Sequence, residues 1–251
     1  MRKTVWAVLL IGALSGCGSM NHGDAGIPVR PVPASSAGPT TSKCPAPAPA
    51  AATGYTATTT RIRSKTAIFA YNITLPQLTG GTAAVRDRFN SAMHAALSDA
   101  TAVGTGTVAD GEIPYDCNEA SGVTRIGAHV IAGVLITNRY SGGAYPSNQL
   151  DTVVIDTATA QPILLPSVLR NPARAWETLA ALAPTLVPAG EPKLDTPEAT
   201  GDSFAEWLPS PAGLTVYFGV PHVLGDYHPV LFPWSRIRDL FTPSELAILS
   251  S

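Results

Sequence analysis

Residues 69–100 read FAYNITLPQLTGGTAAVRDRFNSAMHAALSDA, and their hydrophobic period changes halfway. Phe69, Tyr71, Ile73 and Leu75 alternate with Ala70, Asn72 and Thr74. A period of two places the apolar side chains on one face of a half-buried strand. Pro76 should stop that strand, because it cannot donate to a ladder. Gly80-Gly81 turns the chain, and Thr82 can cap a helix running to about residue 100. Val85, Phe89, Met93, Ala96 and Ala100 recur at steps of three and four and form one apolar stripe.

Working outward, a Gly- and Thr-containing loop leads to Cys117, and residues 123–140 are rich in Val and Ile. That run reads as one long strand or two short ones. Leu150 to Asp156 is a further strand, with Ile163 to Leu165 as a short partner. Pro172 suits a first helical position, and Trp176, Leu179, Ala180, Leu182, Ala183 and Leu186 line a helix interrupted by Pro184. Residues 188–202 read as a loop. Phe204 to Leu208 and Leu214 to Phe218 form a hairpin, and Val230 to Trp234 is a last strand. Thr242-Pro243-Ser244-Glu245 sets a capping residue, a first-turn Pro and an N3 Glu in order before a short terminal helix. The mixture predicts an α+β fold: a largely antiparallel sheet with two packed helices in one domain over residues 55–251.

The 251 residues are 45% hydrophobic, enough for a sizeable core, and only 14% charged. A net charge of −2 offers no global basic field for a phosphate backbone, so no nucleic acid is expected as a partner. The 12 Arg against 4 Lys fit a GC-rich genome.

Residues 1–17 read MRKTVWAVLLIGALSGC. Arg2 and Lys3 precede an apolar run from Val5 to Leu14, too short for a bilayer but suited to a signal-peptide core. Leu14-Ser15-Gly16-Cys17 is similar to the lipobox of bacterial lipoprotein precursors. The resemblance implies lipidation of Cys17, cleavage before it, and an anchor in the cell membrane with the domain on the extracytoplasmic side. Residues 18–54 hold seven prolines among Ala, Ser, Thr and Gly and read as a semi-extended tether. An exported chain meets an oxidising compartment, and Cys44 and Cys117 are the two cysteines left after Cys17. A disulfide between them is expected, with two free buried thiols as the alternative; the loop-entropy limit for the bridge is about 4 kcal/mol.

Two stretches together resemble the RsiV-type C-terminal domain family, a domain of unknown function. The first is Arg139-Tyr140-Ser141-Gly142-Gly143-Ala144-Tyr145-Pro146-Ser147-Asn148, followed by Val153-Val154-Ile155-Asp156 and Ile163-Leu164-Leu165-Pro166-Ser167-Val168-Leu169. The second is Gly213-Leu214-Thr215-Val216-Tyr217-Phe218, an irregular loop, and Val230-Leu231-Phe232-Pro233-Trp234. The resemblance covers about residues 58–241. Tyr145 stands where the family has His, and Ala160 where it has the Gly of a Thr-Gly turn. The resemblance implies relatives of three kinds: anti-sigma factors whose outer domain senses lysozyme, an envelope deacetylase with this as an accessory domain, and secreted immunogenic mycobacterial proteins, one of them described as an esterase. The first kind needs a cytoplasmic segment and a membrane span and the second a catalytic domain, none of which is read here.

No GxSxG elbow and no HExxH helix occurs. Ser141 and Ser147 flank Gly142-Gly143, whose backbone N–H groups could receive an oxyanion; the plainer account of the glycines is a turn with φ > 0. The stretch Pro221-His222-Val223-Leu224-Gly225-Asp226-Tyr227-His228-Pro229 gathers two His and an Asp on one loop. Such a set suits proton relay or metal binding, but the spacing matches no standard metal motif, and a solvated loop with local hydrogen bonds accounts for it as well. Two functions are therefore expected, besides a purely structural envelope role. In the first, loops 140–148 and 219–229 bind an envelope or host protein or glycan through Tyr140, Gly142, Gly143, Tyr145, Asp226 and Tyr227, whose aromatics should be exposed. In the second, a small ester hydrolase uses Ser141 or Ser147 as nucleophile and His222 or His228 as base. Neither calls for a cofactor or a metal. The expected partners are the bilayer, through acylated Cys17, and the unknown protein or glycan.

Overall fold

The computed structural model describes residues 54–102, 104–115 and 119–251. Cys17, Cys44 and Cys117, and with them the expected lipidation and disulfide, lie outside the described residues. The described chain starts with β1 (Tyr55–Lys65) and β2 (Phe69–Gly80), antiparallel along eleven residue pairs from Tyr55↔Gly80 to Lys65↔Ala70. Then come α1 (Ala83–Thr101), β3 (Gly106–Asp110), the short pair β4 (Glu112–Ile113) and β5 (Glu119–Ala120), β6 (Gly122–Ile126), β7 (Val130–Tyr140) and β8 (Ser147–Asp156). The second half holds α2 (Leu165–Val168), α3 (Pro172–Leu186), β9 (Trp207–Pro209), β10 (Gly213–Gly219), β11 (Tyr227–Pro233), α4 (Trp234–Ile237) and α5 (Pro243–Ser250).

The large sheet runs β1-β2-β3-β7-β6, with β8 on the other side of β7. Every neighbour pair is antiparallel except β2–β3, so the sheet is mixed. The exception follows from α1, a crossover that returns the chain to the same end of the sheet. A smaller antiparallel sheet is ordered β11-β10-β9.

β7 lies between neighbours, and its apolar run is buried on both faces. Val130, Ala132, Val134 and Ile136 join one core with Trp176 and Leu179 of α3 and with Phe204, Phe218 and Phe232 around the small sheet. Ile131 and Leu135 join the other core with Ile73, Leu75, Val85, Phe89 and Met93. The two long helices thus cover opposite faces of the sheet, and the stripe read on α1 is its buried face, with Leu97 added.

Several local expectations needed tertiary context. β2 continues through Pro76 to Gly80, because β3 flanks it only over Phe69–Asn72, leaving an open side where a Pro nitrogen needs no partner. Thr82 is the N-cap residue of α1 but makes no side-chain cap bond; its hydroxyl meets Tyr55 Oη at 2.9 Å instead. Gly81 sits under the Tyr55 ring, where a Cβ would lie 2.0 Å from the ring edge. α3 passes Pro184, which falls in its last turn. The segment read as a strand at Ile163 to Leu165 makes one bridge, Pro162 to Ile155, before α2 begins. Phe204 ends a 3-10 turn, and the hairpin strand starts at Trp207. At the C-terminus Thr242 Oγ1 accepts the Glu245 N–H at 3.3 Å, the cap expected from the sequence.

Ala160 closes the turn after β8 with φ of +57°. Its N–H donates to Asp156 O at 2.9 Å, while Asp156 Oδ1 accepts from Ala158 N and Thr159 N. A Cβ in the left-handed region costs about 1–2 kcal/mol. Ala160→Gly should raise stability by about 0.5–1 kcal/mol, the strain relieved less the entropy that Gly adds to the unfolded chain. Thermal or urea unfolding reads this directly, and a loss of stability would contradict it.

Candidate functional site

Loops 140–148 and 219–229 form one surface. Asp226 Oδ2 accepts the Asn148 N–H at 2.7 Å, across 78 residues of sequence. The same carboxylate receives His222 Nδ1 at 3.0 Å, and the His222 ring stacks on Tyr145 with centroids 5.6 Å apart. Asn148 extends the joint, with Nδ2 donating to Glu112 O at 3.0 Å and Oδ1 accepting from Asn138 Nδ2 at 3.1 Å. The second loop is closed by its own backbone: Val220 N–H donates to Asp226 O at 2.8 Å, and a 3-10 turn covers His222–Leu224. Gly225 (φ +98°) ends that turn, and a Cβ there would lie 2.6 Å from the Pro114 ring. Asp226 follows at φ +71°, a conformation that a short polar side chain tolerates.

Below the loops, the outer edge of β8 is sealed by side chains of the small-sheet region. The Asn148 amide goes to Asp226 and the Thr152 amide to Glu206 Oε2 at 2.8 Å, and the Tyr227 hydroxyl lies near the Leu150 amide between them. Alternate outward N–H groups of an edge strand need such acceptors when they are withdrawn from water. Trp207 N–H returns a bond to Thr152 Oγ1 at 3.2 Å. Burial pushes Glu206 above the usual carboxylate range, against the Thr152 bonds that hold it down. Burial likewise raises Tyr227, countered in part by the Leu150 amide and reinforced by Glu206, Asp151 and Asp226.

Asp151, on the α1 face of β8, is pushed up to about 6 by burial and by the Asp99 carboxylate. Its folded pKa therefore exceeds its unfolded value, so the native state binds more protons between about pH 4 and 6. Stability from this group falls as pH rises through that window and stays at the lower level above it. The full shift would correspond to about 3 kcal/mol, and partial solvent contact reduces this to about 1–2 kcal/mol. Asp151→Asn should gain that amount at pH 7 and nothing near pH 4; urea titrations at the two pH values check it.

The expected site residues are distributed as follows. Tyr140 ends β7 at 43% exposure, and Tyr145 is 73% exposed. Ser141, Gly142 and Gly143 are exposed in the loop, with positive φ at Gly142 alone. Ser147 opens β8 opposite Arg139. His222 is exposed beside Tyr145, and Asp226 is half-buried beneath them. Tyr227 is half-buried, with its hydroxyl near the Leu150 amide, so it packs into the seam where an exposed aromatic was expected. His228 is fully buried: its Nε2 meets Glu191 Oε2 at 3.0 Å, and its ring lies 4.6 Å from that of Tyr115. No hydrogen bond joins Ser141 or Ser147 to His222 or His228 among the described residues. Nor is any group of three or more His, Cys, Asp and Glu placed to hold a metal ion among them. Asn148, Val223 (87% exposed) and Glu206 belong to the site and were not singled out from sequence. Only Glu206 carried a signal, a lone charge before Trp207-Leu208.

No family model and no curated protein matches the chain. Among solved structures it is similar to a member of the DUF3298 family from Bacteroides fragilis, at 12% identity and a TM-score of 0.53, covering 79% of this chain and 99% of that one. It is also similar to a DUF3298 family protein from Pseudomonas aeruginosa, at 11% identity and a TM-score of 0.50, covering 76% and 95%. At such identities the likeness is one of fold, and the fold is that of a domain of unknown function.

Proposed function

We propose that this chain is a lipid-anchored envelope lipoprotein with a domain of RsiV type that binds a protein or glycan through the joined loops 140–148 and 219–229. One observation carries the reading. The Asn148–Asp226–His222–Tyr145 chain of contacts holds two distant loops together and leaves Tyr145 and Val223 open to solvent above it. A fixed surface loses little entropy on binding, and aromatic rings give contact area to protein side chains and sugar faces alike. Cys17 supplies the anchor in this reading, and residues 18–54 the reach. No helix among the described residues is long and apolar enough to cross a membrane.

The test compares the full chain with a Tyr145→Ala/Val223→Ser variant for binding to purified cell-wall glycan and to envelope protein fractions. At least a tenfold loss is expected, because central aromatic contacts carry about 2 kcal/mol or more. Equal binding by the two would overturn the reading. For the anchor, Cys17→Ala should release the protein from the membrane fraction, and retention of a cleaved, unlipidated form would contradict it.

A second reading, an ester hydrolase, is favoured by the His222–Asp226 pair at 3.0 Å, which resembles the base and orienting acid of a nucleophilic site. Hydrolysis of short p-nitrophenyl esters that disappears in His222→Ala would replace the binding proposal by this one.

A further inference from the structure

A cleft of about 510 Å³ opens between the start of α3 and the α4 segment. Arg170, Arg174 and Arg236 line it, with Asp239 also at its wall. None of the three arginines has a carboxylate within 4.0 Å among the described residues. Arg170 is fixed by the C-terminal segment: its backbone N–H donates to Leu240 O at 2.9 Å, and its Nε to Phe241 O at 2.6 Å. Among the described residues, that leaves the terminal guanidinium nitrogens without a protein acceptor. Arg174 lies in the first turn of α3, four residues after Arg170, which precedes the Asn171 cap. Arg236 comes from the opposite wall. The helix end itself is not the site, because Asn171 Oδ1 already accepts the Arg174 N–H at 3.2 Å.

We infer that this cleft binds a phosphate group carried on a small ester or a lipid headgroup. A carboxylate is satisfied by a single guanidinium fork, whereas three forks from two walls suit a tetrahedral anion with three accepting oxygens. The volume exceeds that of a bare ion and leaves room for the carrier of the phosphate. The site is separate from the joined loops. β11 begins in loop 219–229, and Arg236 follows its far end, roughly 20 Å away at 3.3 Å per residue.

The full chain is titrated calorimetrically at physiological ionic strength with inorganic phosphate, glycerol 3-phosphate and short-chain phosphatidylglycerol. Arg174→Gln and Arg236→Gln change exposed side chains, and thermal melts verify that both fold. Each is expected to weaken binding about tenfold or more, since a charged hydrogen bond contributes about 1.5–3 kcal/mol. Arg88→Gln on α1, across the sheet, should bind as the parent does. Binding of the phosphate or its glycerol ester alone identifies a soluble source, and binding of the lipid alone identifies a headgroup; either supports the inference. Failure of all three probes, undiminished binding by the two cleft variants, or an equal loss in Arg88→Gln overturns it.

Discussion

Asp226→Ala is expected to lower stability by about 2.5–5 kcal/mol and to separate the two loops of the candidate surface. The Asn148 amide loses an acceptor at 2.7 Å in a half-buried position, and a charge-assisted bond of that kind is worth about 1.5–3 kcal/mol. An Ala at φ +71° adds about 1–2 kcal/mol of left-handed strain. Asp226→Asn distinguishes the two contributions, because Asn tolerates the backbone and keeps one oxygen for Asn148. The Asn variant should recover most of the stability while weakening the contact with His222. Urea unfolding gives the energies, and hydrogen exchange at Asn148 reports the local joint. Parent-like protection of that amide in Asp226→Ala would contradict the assignment.

Phe204→Ala should cost about 3–5 kcal/mol, a large part of the total for a domain of this size. Phe204 is fully buried, stacks on Trp176 of α3 at 5.3 Å and 11°, and meets Phe218 of β10 edge-on at 5.5 Å. It therefore fills the space between α3 and the small sheet, where the cavity left behind cannot collapse from either side. Phe204→Leu, which keeps most of the volume, should lose clearly less. The midpoint of urea unfolding should fall with little change in slope. A loss below about 1 kcal/mol for the Ala variant would show that the layers close over the gap.

The sequence by itself determined the elements whose signal is local. The stripe of α1 is legible because one face of a 19-residue helix repeats its burial every turn. The cap at Thr242 is legible because donor and acceptor lie three residues apart. The apolar run of β7 marks a strand in the middle of a sheet. β1 was invisible, since its Thr-rich residues are exposed on nearly every position and carry no period. β3, with Val108 as its one buried residue, passed for a loop, and with it went the parallel pair that makes the sheet mixed.

The two loops of the candidate surface were each legible from Gly, Tyr, His and Asp content, but their joining was not. It rests on a hydrogen bond spanning 78 residues, and only the packing of the small sheet against the edge of β8 brings those groups together. Tertiary structure also separated the two histidines of one loop. His228 pairs opposite Phe218 in the small sheet and points into the core beside Glu191, while His222 precedes the strand and stays in water. The three arginines of the α3 cleft met in the same way. A chain encodes its periods and caps over a few residues, whereas the partners of a polar side chain are set by which surfaces the whole core presses together.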